Sequence, residues 1–261
     1  MTQERMCSQV PTLQMNDSSV IELPLLTTLI PDVAALSDDE YALARRKGLG
    51  ASDSSILLGV NPYKKKSDLI IEKRSKVITE EERAIKMKDA VRKGFDLEPL
   101  ILKKYAELTN SIEPTKPTAM YQIKATPCLT INFDGVKQVE DYLIPVEAKY
   151  VTPYGDKYYN RNNALQREFG ECALVRTCRA YTDSIDRIKA KAEACGIPPY
   201  YYTQVQQQIY GLGSPYGLLT ALHDKGWETV IYFIPRDEEC IRNIIISGTK
   251  TWMKIGGVSN G

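Results

Sequence analysis

The sequence predicts one domain of the mixed α/β or α+β class, because helical and strand patterns follow one another in blocks. Residues 37–108 show the apolar spacing of helices, residues 119–150 contain short β-prone runs, and a helix, a strand and a helix close the chain. At 261 residues with 43% apolar and 26% charged side chains, the chain can bury a substantial core. It contains no apolar run of bilayer length and no N-terminal secretion signal, so we expect a cytoplasmic protein.

The first block is preceded by residues 1–36, which contain three prolines and little hydrophobic periodicity. This composition predicts an N-terminal extension that drapes over a domain at residues 37–255. Ser37 and Glu40 have the spacing of a capping box, in which each side chain accepts from the backbone N–H of the other residue. A helix should therefore begin there and run to Arg46.

Three further helices are expected before the strands, at residues 52–58, 67–75 and 80–108. The Asn-Pro-Tyr sequence at residues 61–63 is typical of a turn and separates the first two. Pro99 falls within the third, and proline lacks the N–H that a helix interior needs. We therefore expect Pro99 to kink this helix or to divide it in two.

The second half of the chain combines strands and helices. Residues 155–195 are polar, compatible with helix and without a strand signal, which predicts a helical insertion. The remaining expected elements are antiparallel-looking strands at 120–123, 129–133 and 142–150, a helix at 201–212, a strand at 229–234 and a helix at 237–254.

Charge and cysteine content exclude some classes of protein. The net charge of +1 is not that of a non-specific nucleic-acid coat protein, although basic and acidic residues are locally clustered. The six cysteines form no CxxC pair and match no zinc-finger spacing, so we expect free thiols.

A candidate metal pocket lies in the strand block. Asp134 ends one β-prone run, and Glu147 and Lys149 leave the same face of the next run because they are two residues apart. Carboxylate oxygens and the carbonyl of Ala148 are the hard ligands that Mg²⁺ prefers, and the ammonium can orient an attacking water. A salt bridge across a hairpin would have the same spacing, so these residues alone leave both interpretations open.

Five segments, in order, resemble the motifs of the YqaJ-type viral recombinases. They are residues 45–64 (Arg-Arg-Lys-Gly-Leu-Gly-Ala-Ser-Asp followed by Leu-Gly-Val-Asn-Pro-Tyr-Lys), 94–100 (Gly-Phe-Asp-Leu-Glu-Pro-Leu), 133–135 (Phe-Asp-Gly), 147–149 (Glu-Ala-Lys) and 202–210 (Tyr-Thr-Gln-Val-Gln, then Tyr). Together they span about residues 40–255. Chance agreement at one motif does not extend to the next.

The resemblance implies a PD-(D/E)XK nuclease related to the lambda exonuclease family, with a restriction-endonuclease-like core in which helices flank a central mixed sheet. Such enzymes hydrolyse one strand of duplex DNA from its end in the 5′ to 3′ direction during phage recombination. The resemblance further implies two Mg²⁺ or Mn²⁺ ions per site, a single-strand annealing protein as partner, and a trimeric ring. It also implies a bacterial or phage-infected host cell.

The resemblance assigns roles to individual residues of the catalytic centre. Glu98, Asp134 and Glu147 would be metal ligands together with the Ala148 carbonyl, Lys149 would position the attacking water, and Gln204 would complete the centre. Gln206 lies about 200° from Gln204 around a helix, so only one of them can face the centre fully, and the family position is that of Gln204.

A second group of residues would bind DNA. Arg45 matches the family arginine for the terminal 5′-phosphate and Ser52 the hydroxyl beside it, whereas Lys64 would contact the backbone. Two departures from the family pattern stand out. Phe133 replaces the proline that precedes the aspartate, and 55 positions (204 − 149) separate Lys149 from Gln204, which is where the insertion is expected.

Two alternatives remain. One is an endonuclease or single-strand nuclease on the same core, and the other is a DNA-binding relative that has lost catalysis. Because Glu98, Asp134, Glu147 and Lys149 are all present, we favour the catalytic interpretation.

Overall fold

A computed structural model defines the fold and describes residues 10–161 and 184–256. Its strands are β1 (Thr12–Gln14), β2 (Val20–Glu22), β3 (Leu26–Ile30), β4 (Leu49–Gly50), β5 (Met120–Ile123), β6 (Thr126–Ile131), β7 (Gly135–Val139), β8 (Tyr142–Val151), β9 (Tyr216–His223) and β10 (Glu228–Pro235). Its helices are α1 (Asp38–Ala44), α2 (Ser54–Leu57), α3 (Lys66–Arg74), α4 (Glu80–Lys86), α5 (Asp89–Thr109), α6 (Ser184–Cys195), α7 (Pro199–Leu212) and α8 (Glu238–Ile255).

Two four-stranded sheets, each with mixed pairing, carry the architecture. The first has the order β7-β8-β9-β10, in which β8 and β9 run parallel and the outer pairs antiparallel. The second has the order β3-β5-β6-β4, in which only β4 and β6 are parallel. Helices flank both sheets, which confirms the predicted mixed fold class. The strands between residues 120 and 151 pair antiparallel, as expected, and the parallel pairs are those that β4 and β9 form with them.

Helix α7 lies at the centre of the molecule. It contacts the first sheet through β8 and β9, the second through β6, and also α2, α6 and α8. Its apolar side chains Tyr202, Val205 and Ile209 are buried. Gly211 lets the helix approach the second sheet closely, because a Cβ there would collide with Cδ1 of Ile131. Residues on α7 are therefore within reach of both sheets.

The region before residue 37 has more regular structure than its composition suggests. From residue 10 onward it contains β1 and β2, which form a hairpin, and β3, which pairs with β5 at the edge of the second sheet. These strands within the extension were not expected from the sequence. Backbone pairing and burial of Leu23 and Leu26 hold these residues although they lack periodicity. The domain boundary at residue 37 stays a prediction.

The capping box at Ser37 and Glu40 is confirmed at the start of α1. The helical stretch after residue 80 is divided, but not at Pro99. The break comes at Lys88, whose backbone is extended (φ −63°, ψ 133°), and α5 then continues through Pro99. Proline has a helical φ, so losing one hydrogen bond within a helix of 21 residues does not end it here.

After residue 119, two strands were not expected from the sequence: β7, where Asp134-Gly135 and Gln138-Val139 are typical of turns, and β9. Part of the expected helical insertion at 155–195 does form helix, as α6, but residues 162–183 lie outside the described residues. Of the six cysteines, Cys128, Cys195 and Cys240 are free and buried. In the described ranges, no helix is long and apolar enough to cross a membrane.

Candidate active site

The β7–β8 hairpin brings Asp134, Glu147 and Lys149 together. Asp134 precedes β7, and its Oδ2 accepts a hydrogen bond of 3.0 Å from the backbone N–H of Ala148 on β8. Lys149 Nζ lies 3.6 Å from Asp134 Oδ2 and forms an ion pair with Glu147 Oε1. The two carboxylates therefore face one ammonium, as the spacing in the sequence indicates.

Glu147 is fully buried and is held by two glutamines of α7. Gln204 donates to Oε1, and Gln208 donates to Oε2 at 2.6 Å. Burial raises the pKa of Glu147 to about 7, the charge on Asp134 adds to the rise, and Lys149 and Gln208 oppose it. A carboxyl group with this pKa is ready to exchange its proton for a cation near neutral pH.

The ammonium of Lys149 stays charged. Burial lowers the pKa of Lys149, but the carboxylates of Glu147 and Asp134 outweigh burial and hold the pKa above its ordinary value. The ammonium also lies 5.4 Å from the ring centroid of Tyr201, within the range of a cation–π contact. Lys149 therefore acts as a fixed hydrogen-bond donor at neutral pH.

Glu98 lies on α5 at the margin of this group. Its side chain is largely buried, and its Oε1 forms an ion pair of 2.5 Å with Lys116. Burial raises the pKa of Glu98 and the nearby charge of Asp134 raises it further, whereas Lys116 lowers it. The charge of Asp134 therefore acts on Glu98, and the ammonium of Lys116 neutralises the Glu98 carboxylate.

The donors suit a hard divalent cation. The pairing of β7 with β8 ends at Gly135 and Val146, so the edge of β8 at Ala148 faces Asp134. N–H and C=O of one strand residue point to the same side, which directs the Ala148 carbonyl toward that edge. Two carboxylates and a carbonyl are the oxygen ligands that Mg²⁺ and Mn²⁺ prefer, and the ammonium of Lys149 already shows that cations are stabilised here.

The predicted ligand set is not preassembled. No group of three histidine, cysteine, aspartate or glutamate side chains forms a metal-ready cluster within residues 10–161 and 184–256. Asp134 and Glu147 converge on Lys149, and Glu98 contacts Lys116 instead. For Glu98 to become a ligand, it must exchange the ammonium of Lys116 for the cation.

The three predicted DNA-binding residues have different surroundings. Arg45 is exposed, and its Nη2 donates to Ser52 Oγ at 2.7 Å, so the guanidinium and the hydroxyl form one polar group. Arg46 is buried and donates to two backbone carbonyls and to Glu82, which leaves Arg45 as the accessible arginine. Lys64 forms an ion pair with Glu72, and burial lowers its pKa.

A buried ion pair holds the backbone at Arg45 in place. Asp53 Oδ2 lies 2.7 Å from Lys73 Nζ, which also donates to the carbonyl of Arg45 at 2.8 Å. Burial raises the pKa of Asp53, but Lys73 and Arg45 outweigh burial and hold it below the ordinary value. The charges thereby fix the backbone that carries the exposed guanidinium.

Two further glutamines and one lysine take part in the site although the sequence did not single them out. Gln208 follows Gln204 by four residues, a helical spacing that places both on one face and could have revealed it. Gln207 is buried and donates to the carbonyls of Leu49 and Thr130, which ties α7 to β4 and β6. Lys116 had no sequence signal, because it reaches Glu98 only through the fold.

Comparisons with known proteins identify the family and the fold of the chain. Residues 40–213, about two thirds of the chain, match the model of the YqaJ-like viral recombinase domain family. Over 70 residues, the chain is 36% identical to the uncharacterized protein YqaJ of Bacillus subtilis (strain 168). That alignment covers 27% of this chain and 21% of that protein, so it spans about a fifth of the relative.

Solved structures show the same fold. The alkaline exonuclease LHK-Exo of Laribacter hongkongensis superposes with a TM-score of 0.54 at 15% identity, covering 83% of this chain and 92% of that chain. Its complex with dAMP gives a TM-score of 0.53 with the same coverage and identity. The family match extends over all the residues that build the site, from Arg45 to Gln208. The chain belongs to the YqaJ-like viral recombinase domain family.

Proposed function

We propose that this protein is a metal-dependent DNA exonuclease that hydrolyses phosphodiester bonds from duplex ends in the 5′ to 3′ direction. One observation carries the proposal. Asp134, Glu147 and Lys149 converge at the edge of β8, with Gln204 on Glu147, inside a family of viral recombinases. A hairpin salt bridge would not require a buried carboxylate with a pKa of about 7.

The metal site would take Asp134, Glu147 and the Ala148 carbonyl as ligands, with Glu98 joining after it leaves Lys116. Mg²⁺ or Mn²⁺, two ions in the complete site, would supply an activated water and would offset charge on the phosphate. Gln204 and Gln208 hold the Glu147 carboxylate in one orientation. This orientation keeps both oxygens of Glu147 at the edge of β8.

Lys149 would position the attacking water and donate a hydrogen bond to a phosphate oxygen as negative charge develops there. In the metal-free protein the carboxylates of Glu147 and Asp134 raise the pKa of Lys149, so the ammonium keeps its proton near neutral pH. The charge of Lys149 also neutralises the carboxylates while DNA is absent.

The 5′ to 3′ direction follows from the proposed role of Arg45. A guanidinium whose fork is already oriented by Ser52 suits a terminal phosphate, which carries more charge than an internal one. Lys64 would contact the adjacent backbone. A nuclease that anchors a 5′-phosphate begins at that end of the strand.

End-labelled linear duplexes with and without a 5′-phosphate, incubated with Mg²⁺ or with EDTA, test the proposal directly. We expect release of 5′-phosphorylated mononucleotides from the 5′ end, faster on the phosphorylated duplex, and none in EDTA. In Arg45→Ala, the preference for the 5′-phosphate should disappear while residual hydrolysis remains. Lys103→Ala, which removes an exposed lysine of α5, is the matched control.

Covalently closed circular DNA distinguishes the alternatives. An exonuclease leaves it intact, whereas cleavage at the rate of linear duplex would identify an endonuclease on the same core. Equal hydrolysis of single strands would point to a single-strand nuclease. DNA binding without hydrolysis in either Mg²⁺ or Mn²⁺ would identify a non-catalytic relative.

The proposal includes a cellular setting and an assembly. We expect the protein to act in the cytoplasm of a bacterium or phage-infected host cell, with a single-strand annealing protein that coats the strand it exposes. A trimeric ring would keep the enzyme on DNA, and light scattering after size exclusion would detect it. The proposed nuclease domain covers residues 37–255, contains a helical insertion at about 155–195 and follows an extension at residues 1–36.

A further inference from the structure

Tyr63 presents its ring to solvent from an ordered loop. The residue is 78% exposed between α2 and α3. Asn61 Oδ1 accepts from the backbone N–H groups of Tyr63 and Lys64 at 2.8 and 2.9 Å, and Asn61 Nδ2 donates to Ser55 Oγ at 2.8 Å. An ordered loop that presents an aromatic ring to solvent leaves the face of that ring available to a planar ligand.

A row of three rings leads from this loop to the candidate active site. Tyr63 meets Tyr200 edge-on, with centroids 5.9 Å apart at 69°, and Tyr200 meets Tyr201 at 4.5 Å and 61°. Lys149 Nζ is 5.4 Å from the centroid of Tyr201. We call Tyr63, Tyr200 and Tyr201 the tyrosine row. Its inner end contacts the residue that we assign to the attacking water.

Nucleobases fit the outer end of this row. Every base has a π-face, so stacking on an aromatic ring tolerates any sequence, as an enzyme that digests successive nucleotides requires. The exposed Lys65 lies two residues from Tyr63 and adds positive charge for the phosphate backbone. At about 3.4 Å per stacked nucleotide, the path from Tyr63 along the row to Lys149 Nζ corresponds to at most about five base steps.

We propose that Tyr63 stacks on a nucleobase of the DNA strand entering the site, with Tyr200 holding the ring of Tyr63 edge-on. Tyr63 is then a binding residue that acts only on DNA whose bases are accessible at an end. The inference rests on the proposed nuclease function. It deepens that function by placing the substrate strand along the tyrosine row.

Binding is measured in EDTA, where no hydrolysis is expected, with a 5′-phosphorylated duplex that carries 2-aminopurine at one of the first five positions of the phosphorylated strand. Base stacking contributes about 1–3 kcal/mol by alanine substitution, and an exposed ring falls at the lower end. Tyr63→Ala should therefore weaken binding about tenfold and abolish the quenching of 2-aminopurine at one or two positions. Tyr63→Phe should bind within about twofold of wild type.

Two controls separate stacking from a disturbed loop. Tyr142 is half exposed at the opposite end of β8, about 23 Å from Lys149 along the strand, so Tyr142→Ala should bind as wild type. The salt dependence of the dissociation constant counts phosphate contacts. Tyr63→Ala should keep the wild-type slope, because it removes no charge, whereas Lys65→Ala should reduce it.

The outcomes are distinguishable. Unchanged binding and quenching in Tyr63→Ala, or wild-type behaviour in Tyr63→Leu, would overturn the stacking proposal. A changed salt dependence of the dissociation constant in Tyr63→Ala would overturn it as well. The substitution would then have altered the phosphate contacts of the loop lysines, not a stacking contact. Hydrolysis of the same duplex by the wild type in Mg²⁺ tests the nuclease function separately, so the stacking proposal can fail while the function stands.

Discussion

Lys149 carries the charge balance of the candidate site. Without a metal ion, its ammonium is the cation that Asp134 and Glu147 share. A buried carboxylate is costly unless it is paired, so the lysine also stabilises the metal-free protein. In the proposed reaction, the same side chain would then offset the negative charge that develops on the phosphate.

Lys149→Ala should lower the rate of hydrolysis by at least about 10²- to 10³-fold, because a fixed donor at the developing charge is lost. The dissociation constant for duplex DNA should change little, since the phosphate contacts proposed for Arg45 and Lys64 remain. Rates at saturating DNA and binding in EDTA are the measurements. Hydrolysis at the rate of wild type would contradict the assigned role.

The pKa of about 7 at Glu147 makes metal binding depend on pH. Protons compete with the cation below pH 7, so affinity for Mn²⁺ should rise as pH increases through 7 and level off above it. We expect about tenfold weaker binding at pH 6 than at pH 8, measured by isothermal titration calorimetry.

The metal-free protein should show the opposite trend in stability. The stabilising contribution from protonation of Glu147 is fully present below the ordinary pKa of 4.5 and is lost as pH rises through about 7. Glu147→Gln removes this titration, so the difference in melting temperature between variant and wild type should change over that range. A constant difference would contradict the raised pKa.

Single residues were predictable where their spacing was local. Glu147 and Lys149 are two residues apart on one strand and therefore share a face. Gln204 was preferred to Gln206 because of its family position, and Gln206 donates instead to the carbonyl of Pro235. Lys116 was not predictable, because its contact with Glu98 depends on the path of the chain between α5 and β5.

Among the elements, α7 joins the parts of the site. Gln204 and Gln208 hold Glu147 on the first sheet, and Gln207 donates to the carbonyls of Leu49 at 3.0 Å and Thr130 at 2.9 Å on the second. Gln207 also accepts from Ser54 Oγ at 2.5 Å. Helix α7 thus fixes the position of the Glu147 carboxylate relative to β4 and α2, which follow Arg45 in the chain.

Gln207→Leu should lower the free energy of unfolding by about 2–4 kcal/mol, because two carbonyls and a hydroxyl lose a buried partner at once. Urea denaturation measures the change. The exposed Gln138→Ala on β7 should stay within about 0.5 kcal/mol of wild type. If Gln207→Leu also changed the free energy of unfolding by less than about 0.5 kcal/mol, the apolar contacts of α7 alone would hold the helix in place.

The elements differ in how well their patterns show in the sequence. Helices α7 and α8 and strands β5 and β10 lie within two residues of their expected bounds, because their apolar periodicity is intact. Strand β9 is interior to its sheet and buried on both faces, so it has no alternation to detect. Strand β7 begins at Gly135, directly after Asp134, and because an Asp-Gly pair is typical of a turn, the sequence does not indicate the strand.

At the scale of the whole molecule, close packing around α7 joins the two sheets. Gly211 of α7 faces Ile131, Leu26 and Ile123 of the second sheet. Gly217 of β9, in the first sheet, faces Val205 of α7. These contacts need small residues, because any added Cβ would enter space that another side chain occupies.

Gly211→Val should lower the free energy of unfolding by about 2 kcal/mol through overpacking against the second sheet. Gly94 is the matched control, because nothing lies within 4 Å of the position its Cβ would take. Gly94→Ala, inside α5, should raise stability by about 0.5–1 kcal/mol. Thermal denaturation measures both, and equal effects would contradict the packing argument.

The parallel pairing of β9 with β8 has a consequence for where the chain can be shortened. The family match ends at residue 213, one residue past α7, whereas β9 begins at Tyr216 and covers the edge of the strand that carries Glu147 and Lys149. A truncation at that point would leave β8 with an open, apolar edge that invites aggregation. The backbone after residue 213 therefore completes the first sheet by supplying the neighbour that β8 needs.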